Sequence, residues 1–286
     1  MRYPLKVLLT SLLLTAAAQA DPNNVGAKLP RWRFTDEAVW TDAKLPADPE
    51  QRVATIEDVP AAVAALARVP KSALVSMFVD ERNLCAVATT LSKVGNRIGL
   101  NIVGKLTPES ARCLATIAPS ALVIDKSINL PALPSLRALA ILVSVETDVA
   151  ALSAAPQLES LALGESTDAG IRSLGTLRRL RSLELFSRNL TQEGFPPLAE
   201  VINLEWLSLT MTVTAGELAV IGKLPKLRRL DLGHAGVDGG DLAVLLPASR
   251  LETLVLRQDC KPAETIRRWK RAHPRVKVEQ VRPTVY

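Results

Sequence analysis

The chain has 286 residues, of which 48% are hydrophobic and 22% are charged, and its formal net charge at pH 7 is +6. This apolar content excludes an intrinsically disordered chain, and three cysteines in so long a chain exclude a disulfide-dense miniprotein. Two histidines leave little material for zinc sites or for histidine-based catalysis.

The first twenty residues have the pattern of a secretory signal peptide. Arg2 and Lys6 form a basic start, an apolar run follows over 7–18, and a small-x-small cleavage site ends at Ala20. The run is shorter than the roughly 20 apolar residues that a transmembrane helix needs. We therefore predict a periplasmic or secreted mature protein without a transmembrane segment.

The segment 21–58 is rich in proline and carries the aromatic residues Trp32, Phe34 and Trp40. We expect an irregular capping segment whose aromatic side chains cover the first helix. The alternative is a flexible arm that docks elsewhere.

Strands and helices alternate between residues 59 and 126. Residues 59–69 have a helical period, and strand-like runs follow at 74–79, 99–102 and 121–124. Asp80 is placed to cap a helix that carries Leu84, Val87 and Leu91, and Thr107 precedes a proline at a second helix start. The unit at 126–134 is short, which predicts an extended loop in place of a helix.

The cysteines allow at most one internal disulfide. Cys85 and Cys113 lie in helix-like stretches and can be bridged if the two helices are neighbours with Cα atoms within about 7 Å. The alternative is that these residues and Cys260 are three buried thiols.

A repeat of about 23 residues begins after this loop. Units of the form L-x-x-L-x-L start at Leu136, Leu158, Leu180, Leu204, Leu227 and Leu251. The alternation within each unit predicts a short strand. Helix N-cap residues follow four of the units, at Thr167, Thr191, Thr214 and Asp238, each with a hydrophobic residue four places later. Each unit is therefore predicted to be a strand, a tight turn and a capped short helix.

This pattern resembles the leucine-rich-repeat family over residues 119–260. The stretch Thr167-Asp168-Ala169-Gly170-Ile171 is similar to the I-T-D-x-G-L helix starts of one subclass, found in F-box proteins and many bacterial repeat proteins. The ninth position, usually Asn or Cys in the family, differs here and holds Ser166, Arg188, Thr212, Ala235 and Asp259.

The resemblance implies an α/β solenoid with a parallel concave sheet and short convex helices, capped at both ends. We expect the solenoid to span residues 59–260, after the N-terminal segment 21–58. The C-terminal cap at 261–286 is predicted to contain a helix over 262–272 and a strand at Val276-x-Val278, 22 residues after Leu254.

Two sets of side chains follow from stacking such repeats. The second position of each unit alternates in charge, which predicts a cross-strand ladder along Arg137, Glu159, Arg181, Glu205, Arg228 and Glu252. The outward-facing positions of the later units form the candidate partner-binding surface, with Trp206, Phe186, Arg229, Glu184, Asp231, Arg257 and His234. Trp and Arg often dominate the binding energy of protein interfaces.

Known catalytic and metal-binding patterns are weak or missing in the sequence. Asp231, His234 and Asp238 form a poor metal set, and Glu184 with Asp231 only distantly resembles a glycosidase carboxylate pair. The basic stretch Arg267–Arg271 is interpreted as a solvated helix face, with an anionic ligand as the alternative. We expect no catalytic residues, no metal, no cofactor and no nucleic-acid partner.

We therefore predict an exported, non-enzymatic scaffold that binds a protein partner through the concave face of a leucine-rich-repeat solenoid. The alternative is an envelope-associated protein that binds a cell-wall or polyanionic ligand. An enzyme or an enzyme-associated effector is the third possibility.

Overall fold

Apolar strands, one from each repeat, form the core of the protein. A computed structural model describes residues 75–93, 98–126, 130–143, 152, 155–172, 174–187, 190–233, 235–237, 239–245, 250–258, 260 and 263–281. The predicted signal peptide, N-terminal segment and first helix (59–69) lie outside this range, as do Arg188, His234, Asp238 and Asp259. The chain divides into two compact units, Met1–Leu142 and Val143–Tyr286.

The strands of the first unit follow one another in sequence order. They are β1 (Val75–Asp80), β2 (Ile98–Val103), β3 (Ala121–Lys126) and β4 (Ala138–Val143), whose final residue lies at the unit boundary. The β1–β2 and β2–β3 pairs are parallel, with Leu100 opposite both Met77 and Leu122. The three predicted strands of this region are confirmed: β1 is shifted by one residue, and β2 and β3 are each two residues longer than predicted.

Two helices lie between these strands. They are α1 (Leu84–Ser92) and α2 (Pro108–Ile117). Thr107 caps α2 as predicted: its hydroxyl accepts from the Ser110 N–H, and the Ser110 hydroxyl accepts from the Thr107 N–H. The predicted capping role of Asp80 is wrong, because β1 runs through Asp80 and a 3-10 turn (Glu81–Asn83) precedes α1.

A disulfide joins these two helices. Cys85 of α1 and Cys113 of α2 are bonded, with their Cα atoms 5.0 Å apart. The structure thus selects the bridge over the three buried thiols, and Cys260 is the buried free cysteine. After β3, residues 130–137 contain no helix, as predicted, and Leu133 and Leu136 hold this return segment in the core.

The second unit repeats the arrangement with shorter strands. They are β5 (Ser160–Gly164), β6 (Ser182–Phe186), β7 (Trp206–Thr210), β8 (Thr212–Val213), β9 (Arg229–Leu232), β10 (Gly236–Val237), β11 (Thr253–Arg257) and β12 (Lys277–Val281). The sheet order is β5-β6-β7-β9-β11-β12 with every pair parallel, and β8 pairs with β10 separately.

Leucine faces leucine across this sheet. Register aligns five leucines that are almost completely buried: Leu161, Leu183, Leu207, Leu230 and Leu254. The next residue in this row is Val278 of β12, 24 residues after Leu254. The predicted alignment of Val276 with Leu254 is therefore wrong by two residues, because the final repeat keeps the longer step of the one before it.

The helices of the second unit are short. They are α3 (Asp168–Ile171), α4 (Ala215–Ile221), α5 (Ala263–Ala272) and 3-10 segments at Leu174–Thr176, Gln192–Gly194, Pro196–Glu200 and Gly239–Leu245. Thr167, Thr191 and Thr214 are N-caps, as predicted. The turn after Thr191 is 3-10 rather than α-helical, and Pro196 and Pro197 beyond it lack the N–H that an α-helix needs.

The hydrophobic residues four places after these three caps, Ile171, Phe195 and Leu218, are fully buried, which confirms the predicted spacing. Leu242 is also fully buried, and the predicted cap before it, Asp238, lies outside the described residues.

Polar contacts between successive repeats differ from the family's asparagine pattern. The Ser187 hydroxyl donates to the Ser166 carbonyl (2.5 Å) and accepts from the Leu190 N–H (3.1 Å). The Cys260 thiol donates to the Val237 carbonyl (3.2 Å). These residues lie one place before and one place after the ninth position, so position-by-position reading missed them.

Asp168 joins the first two capped turns. Its carboxylate accepts from the Thr191 N–H (2.8 Å) and the Thr191 hydroxyl (2.5 Å). A Cβ on Gly194 would overlap this carboxylate and would lie 2.8 Å from a methyl group of Leu190. Glycine is therefore required where the two repeats meet.

We expect Gly194→Ala to lower the free energy of unfolding by about 1–3 kcal/mol. The new methyl group would clash with the Asp168 carboxylate, which two hydrogen bonds prevent from moving aside. Gly216→Ala is the matched control. Its Cβ would overlap only the exposed side chain of Gln192, which can turn away, so its effect should stay within about 1 kcal/mol. Urea unfolding of both variants tests this, and equal losses would contradict it.

Reduction of the disulfide should lower the free energy of unfolding by about 3–4 kcal/mol, because the bridge closes a loop between residues 28 positions apart. Thermal unfolding with and without reductant measures the effect. Cys85→Ala should abolish the response to reductant, whereas Cys260→Ala should keep it. An unchanged melting curve of the reduced native protein would disprove the structural role of the bridge.

Candidate functional site

The strands of the second unit carry three rows of residues on the side of the sheet opposite the leucines. The first row holds Ser182, Trp206, Arg229, Thr253 and Lys277. The second row holds Glu184, Ser208, Asp231, Val255 and Glu279. The third row includes Phe186 beside Thr210, and Arg257 beside Val281. We call this surface the polar strand face.

The structure brings together most of the predicted partner-binding residues on this face. Trp206, Arg229 and Asp231 lie on the neighbouring strands β7 and β9, and Glu184 lies on β6 beside them. Arg257 lies apart from this group, at the end of β11. His234 lies outside the described residues.

The two aromatic side chains bracket the face. Trp206 begins β7 and Phe186 ends the adjacent strand β6, and both are half-buried. Four register positions separate them, about 13 Å along the strands. Glu184 and Ser208 lie between them and are buried, with 8% and 7% of their surface exposed. The aromatic pair therefore flanks a narrow polar strip.

The opposite part of the face is closed by valines. Val255 in the second row is only 1% exposed. A Cβ at Gly233 would lie 2.6 Å from a methyl group of Val281 and 3.3 Å from one of Val255. Because Gly233 has no side chain, the Val281 side chain can occupy the space beside it in the third row.

Arg229 is held in place by carboxylates on both sides. Its guanidinium lies 3.6 Å from the Asp231 carboxylate and 3.3 Å from that of Glu279, and Lys277 lies 2.8 Å from Glu279. Partial burial alone would raise the pKa of Glu279, but the Lys277 hydrogen bond and the charge of Arg229 bring the pKa below its ordinary value. The network fixes the position of the Arg229 guanidinium.

Lys277 and Glu279 were not among the predicted site residues. The prediction placed the last strand two residues out of register and so did not bring these charges beside Arg229. A 24-residue step from Leu254, equal to the step from Leu230, is the sequence pattern that would have found them.

Glu184 carries a strongly perturbed carboxyl group. Burial is the main cause, and the negative charge of Asp231, two strands away, adds to it, which together raise the pKa from 4.5 to about 7. The group is therefore partly protonated near neutral pH. A carboxyl that changes charge here alters the electrostatic potential of the strip between the two aromatic residues.

The predicted charge ladder runs along the starts of these strands. Arg181 pairs with Glu205 at 3.4 Å, and Arg228 pairs with Glu252 at 2.7 Å through both carboxylate oxygens. The prediction is confirmed for these two pairs. Each joins neighbouring repeats one residue before the polar strand face begins.

The basic stretch on α5 is partly neutralised within its own helix. Glu264 pairs with Arg267 at 3.1 Å and with Arg271 at 3.2 Å, and all three side chains are exposed. Trp269 faces inward and stacks on His273, with ring centroids 4.2 Å apart. This arrangement fits the interpretation of a solvated helix face.

Two further features of the described residues bear on function. No three His, Cys, Asp or Glu side chains in this part of the chain are grouped so that they could hold a metal ion. None of its helices is long and apolar enough to cross a membrane.

The raised pKa of Glu184 predicts a pH-dependent stability. Below pH 4.5 the carboxyl is protonated in both states, and between pH 4.5 and 7 the unfolded chain releases the proton while the folded protein retains it. The free energy of unfolding should therefore fall by about 3 kcal/mol as pH rises through this window. Glu184→Gln should remove this decline.

Urea unfolding between pH 4 and pH 8 measures the difference between the native protein and the variant. Glu193→Gln, which changes an exposed glutamate, is the matched control and should keep the native slope. If the native and Glu184→Gln curves run parallel over the whole range, the raised pKa is wrong.

Comparison with known proteins finds solved structures at low sequence identity. No protein-family model and no curated protein matches the sequence. Internalin C2 of Listeria monocytogenes is 15% identical, with a TM-score of 0.40 over 77% of this chain and 84% of that one. The Listeria internalin inlF is 15% identical, with a TM-score of 0.31 over 85% of this chain and 100% of that one.

A leucine-rich-repeat protein of Leptospira interrogans is 13% identical, with a TM-score of 0.34 over 74% of this chain and 51% of that one. At these scores no site residue can be transferred from any of the three structures. The fold is shown instead by the chain's own repeats: each repeat contributes one strand, and the leucines of neighbouring strands pair in parallel register. Parallel strands joined by short helices and repeated in this way have the architecture of a leucine-rich-repeat fold.

Proposed function

We propose that the protein is an exported, non-enzymatic recognition scaffold that binds a protein partner through its polar strand face. The observation that carries the proposal is the placement of Trp206 and Phe186, two half-buried aromatic residues on adjacent strands outside the leucine core. Burial of such side chains by a partner gives a large gain in free energy. Arg229 beside Trp206 is already ordered by its carboxylates, so binding would cost little of its side-chain entropy.

Export is supported by two independent features. Residues 1–20 have the composition of a signal peptide, and the Cys85–Cys113 bridge is of a kind that persists in oxidising compartments. We propose that the mature chain acts in the periplasm or outside the cell. In this proposal 21–58 form an N-terminal capping segment or arm, 59–260 the solenoid and 261–286 the C-terminal cap.

Trp206→Ala should weaken binding of the partner by about 30-fold or more, the loss of about 2 kcal/mol that marks an interface hot spot. The immobilised mature protein captures partners from periplasmic and culture fractions, and titration of the captured protein gives its affinity for each variant. The expected result is one protein that the native form retains and Trp206→Ala loses.

Ile202→Ala is the matched control for this experiment. Ile202 is 49% exposed and lies in the turn before β7, outside the polar strand face, so its truncation removes exposed apolar surface without touching the site. Capture should be unchanged. If Trp206→Ala, shown to be folded by its melting curve, retains the partner as well as Ile202→Ala does, the proposed binding face is wrong.

A further inference from the structure

A groove of about 470 Å³ lies beside the polar strand face, at the starts of the last strands. Six charged residues line it: Lys226, Arg228, Arg250, Arg275, Glu205 and Glu252. Neither Trp206 nor Phe186 is among its lining residues. The groove therefore forms a separate surface with an excess of positive charge.

The carboxylates of the groove are already engaged. Glu252 binds Arg228 through both oxygens, and Glu205 binds Arg181, which lies outside the groove. The Lys226 ammonium donates to the neutral side chain of Asn203 at 2.6 Å. Within the part of the chain that the structure describes, Arg250 and Arg275 are exposed and form no ion pair, and Lys226 also has no carboxylate partner.

The repeat brings these unmatched cations close together. Lys226 and Arg250 each precede the first leucine of their units, so stacking places them about 5 Å apart along the sheet. Arg275 stands 24 residues after Leu251, at the step by which β12 follows β11, so it lies one position further into its repeat than Lys226 and Arg250 and lines the same groove. Like charges gathered along one groove repel one another, and a bound anion relieves that repulsion.

We propose that this groove binds a carboxylate-rich segment of the protein partner. Guanidinium groups bind carboxylates through paired hydrogen bonds, which fits Arg250 and Arg275. Four cations and two carboxylates leave the lining with a net charge of +2, which suits a short acidic segment better than a long polyanion. The choice of a protein segment rests on the proposed function, while the anion-binding character of the groove does not.

The position of the groove also favours a segment of the same partner. Glu205, Arg228 and Glu252 immediately precede Trp206, Arg229 and Thr253 of the polar strand face. A partner segment that binds across the polar strand face therefore needs only about one more residue to reach the groove. The two surfaces would then act together, with the aromatic residues supplying apolar contact and the groove selecting for acidic sequence.

A fluorescently labelled oligo-glutamate peptide tests the groove directly on the full mature protein. Anisotropy titration should show binding that weakens in about 0.5 M salt, whereas an oligo-glutamine peptide should not bind. The double variant Arg250→Ala with Arg275→Ala should lower the affinity about tenfold or more. Arg267→Ala with Arg268→Ala removes the same charge from α5 and should stay within about twofold of native.

Several outcomes would overturn the proposal. Equal losses in the two double variants would show general attraction to a basic protein, and absence of oligo-glutamate binding would remove the site. Polyphosphate that binds through Arg250 and Arg275 where oligo-glutamate does not would assign the groove to phosphate. Trp206→Ala should leave oligo-glutamate binding unchanged, so failure of the groove and failure of the polar strand face are distinguished.

Discussion

The parallel pairing of leucine with leucine is the constraint on which the rest of the second unit depends. Five leucines from successive repeats are almost completely buried in one row. The residues before and after each leucine point to the opposite face of the sheet. A slip of one residue would turn a whole strand's leucines to the opposite side of the sheet, at a cost in burial that no surface contact could offset. Every residue between the leucines is thereby assigned a row, which is why chemistry spread over a hundred residues of chain meets on one surface.

Contacts outside the strands are individual to each repeat. Asp168 joins one turn to Thr191 of the next, and the Ser187 hydroxyl bonds the Ser166 carbonyl and the Leu190 amide. Cys260 donates a thiol hydrogen bond to the Val237 carbonyl near the end of the chain. In the first unit a disulfide joins neighbouring helices instead. In a solenoid each repeat is stabilised by its neighbours, so such contacts act on local interfaces. The regular strands therefore form the common core, and the irregular connections stabilise individual interfaces between repeats.

Charge balance separates the two surfaces of the second unit. On the polar strand face, Arg229 is matched by two carboxylates, so its role is to shape and order the surface around Trp206. At the strand starts Glu205 and Glu252 pair with Arg181 and Arg228, which leaves Lys226, Arg250 and Arg275, just before the ladder, without a carboxylate partner among the described residues. The same repeat stacking that neutralises one row concentrates charge in the neighbouring one. A partner with an apolar centre and an acidic flank would satisfy both.

Sequence alone was sufficient for the repeat, the strand positions and most of the row that carries Trp206, because a buried leucine every 22 to 24 residues is a property of the chain itself. It was not sufficient for the burial of Glu184, for the placement of Glu279 beside Arg229, or for the choice of the Cys85–Cys113 bridge over buried thiols. These depend on distances between groups far apart in the chain. A two-residue change in the last step moves a charge by two register positions along the strand, and only the packed structure determines which step is used.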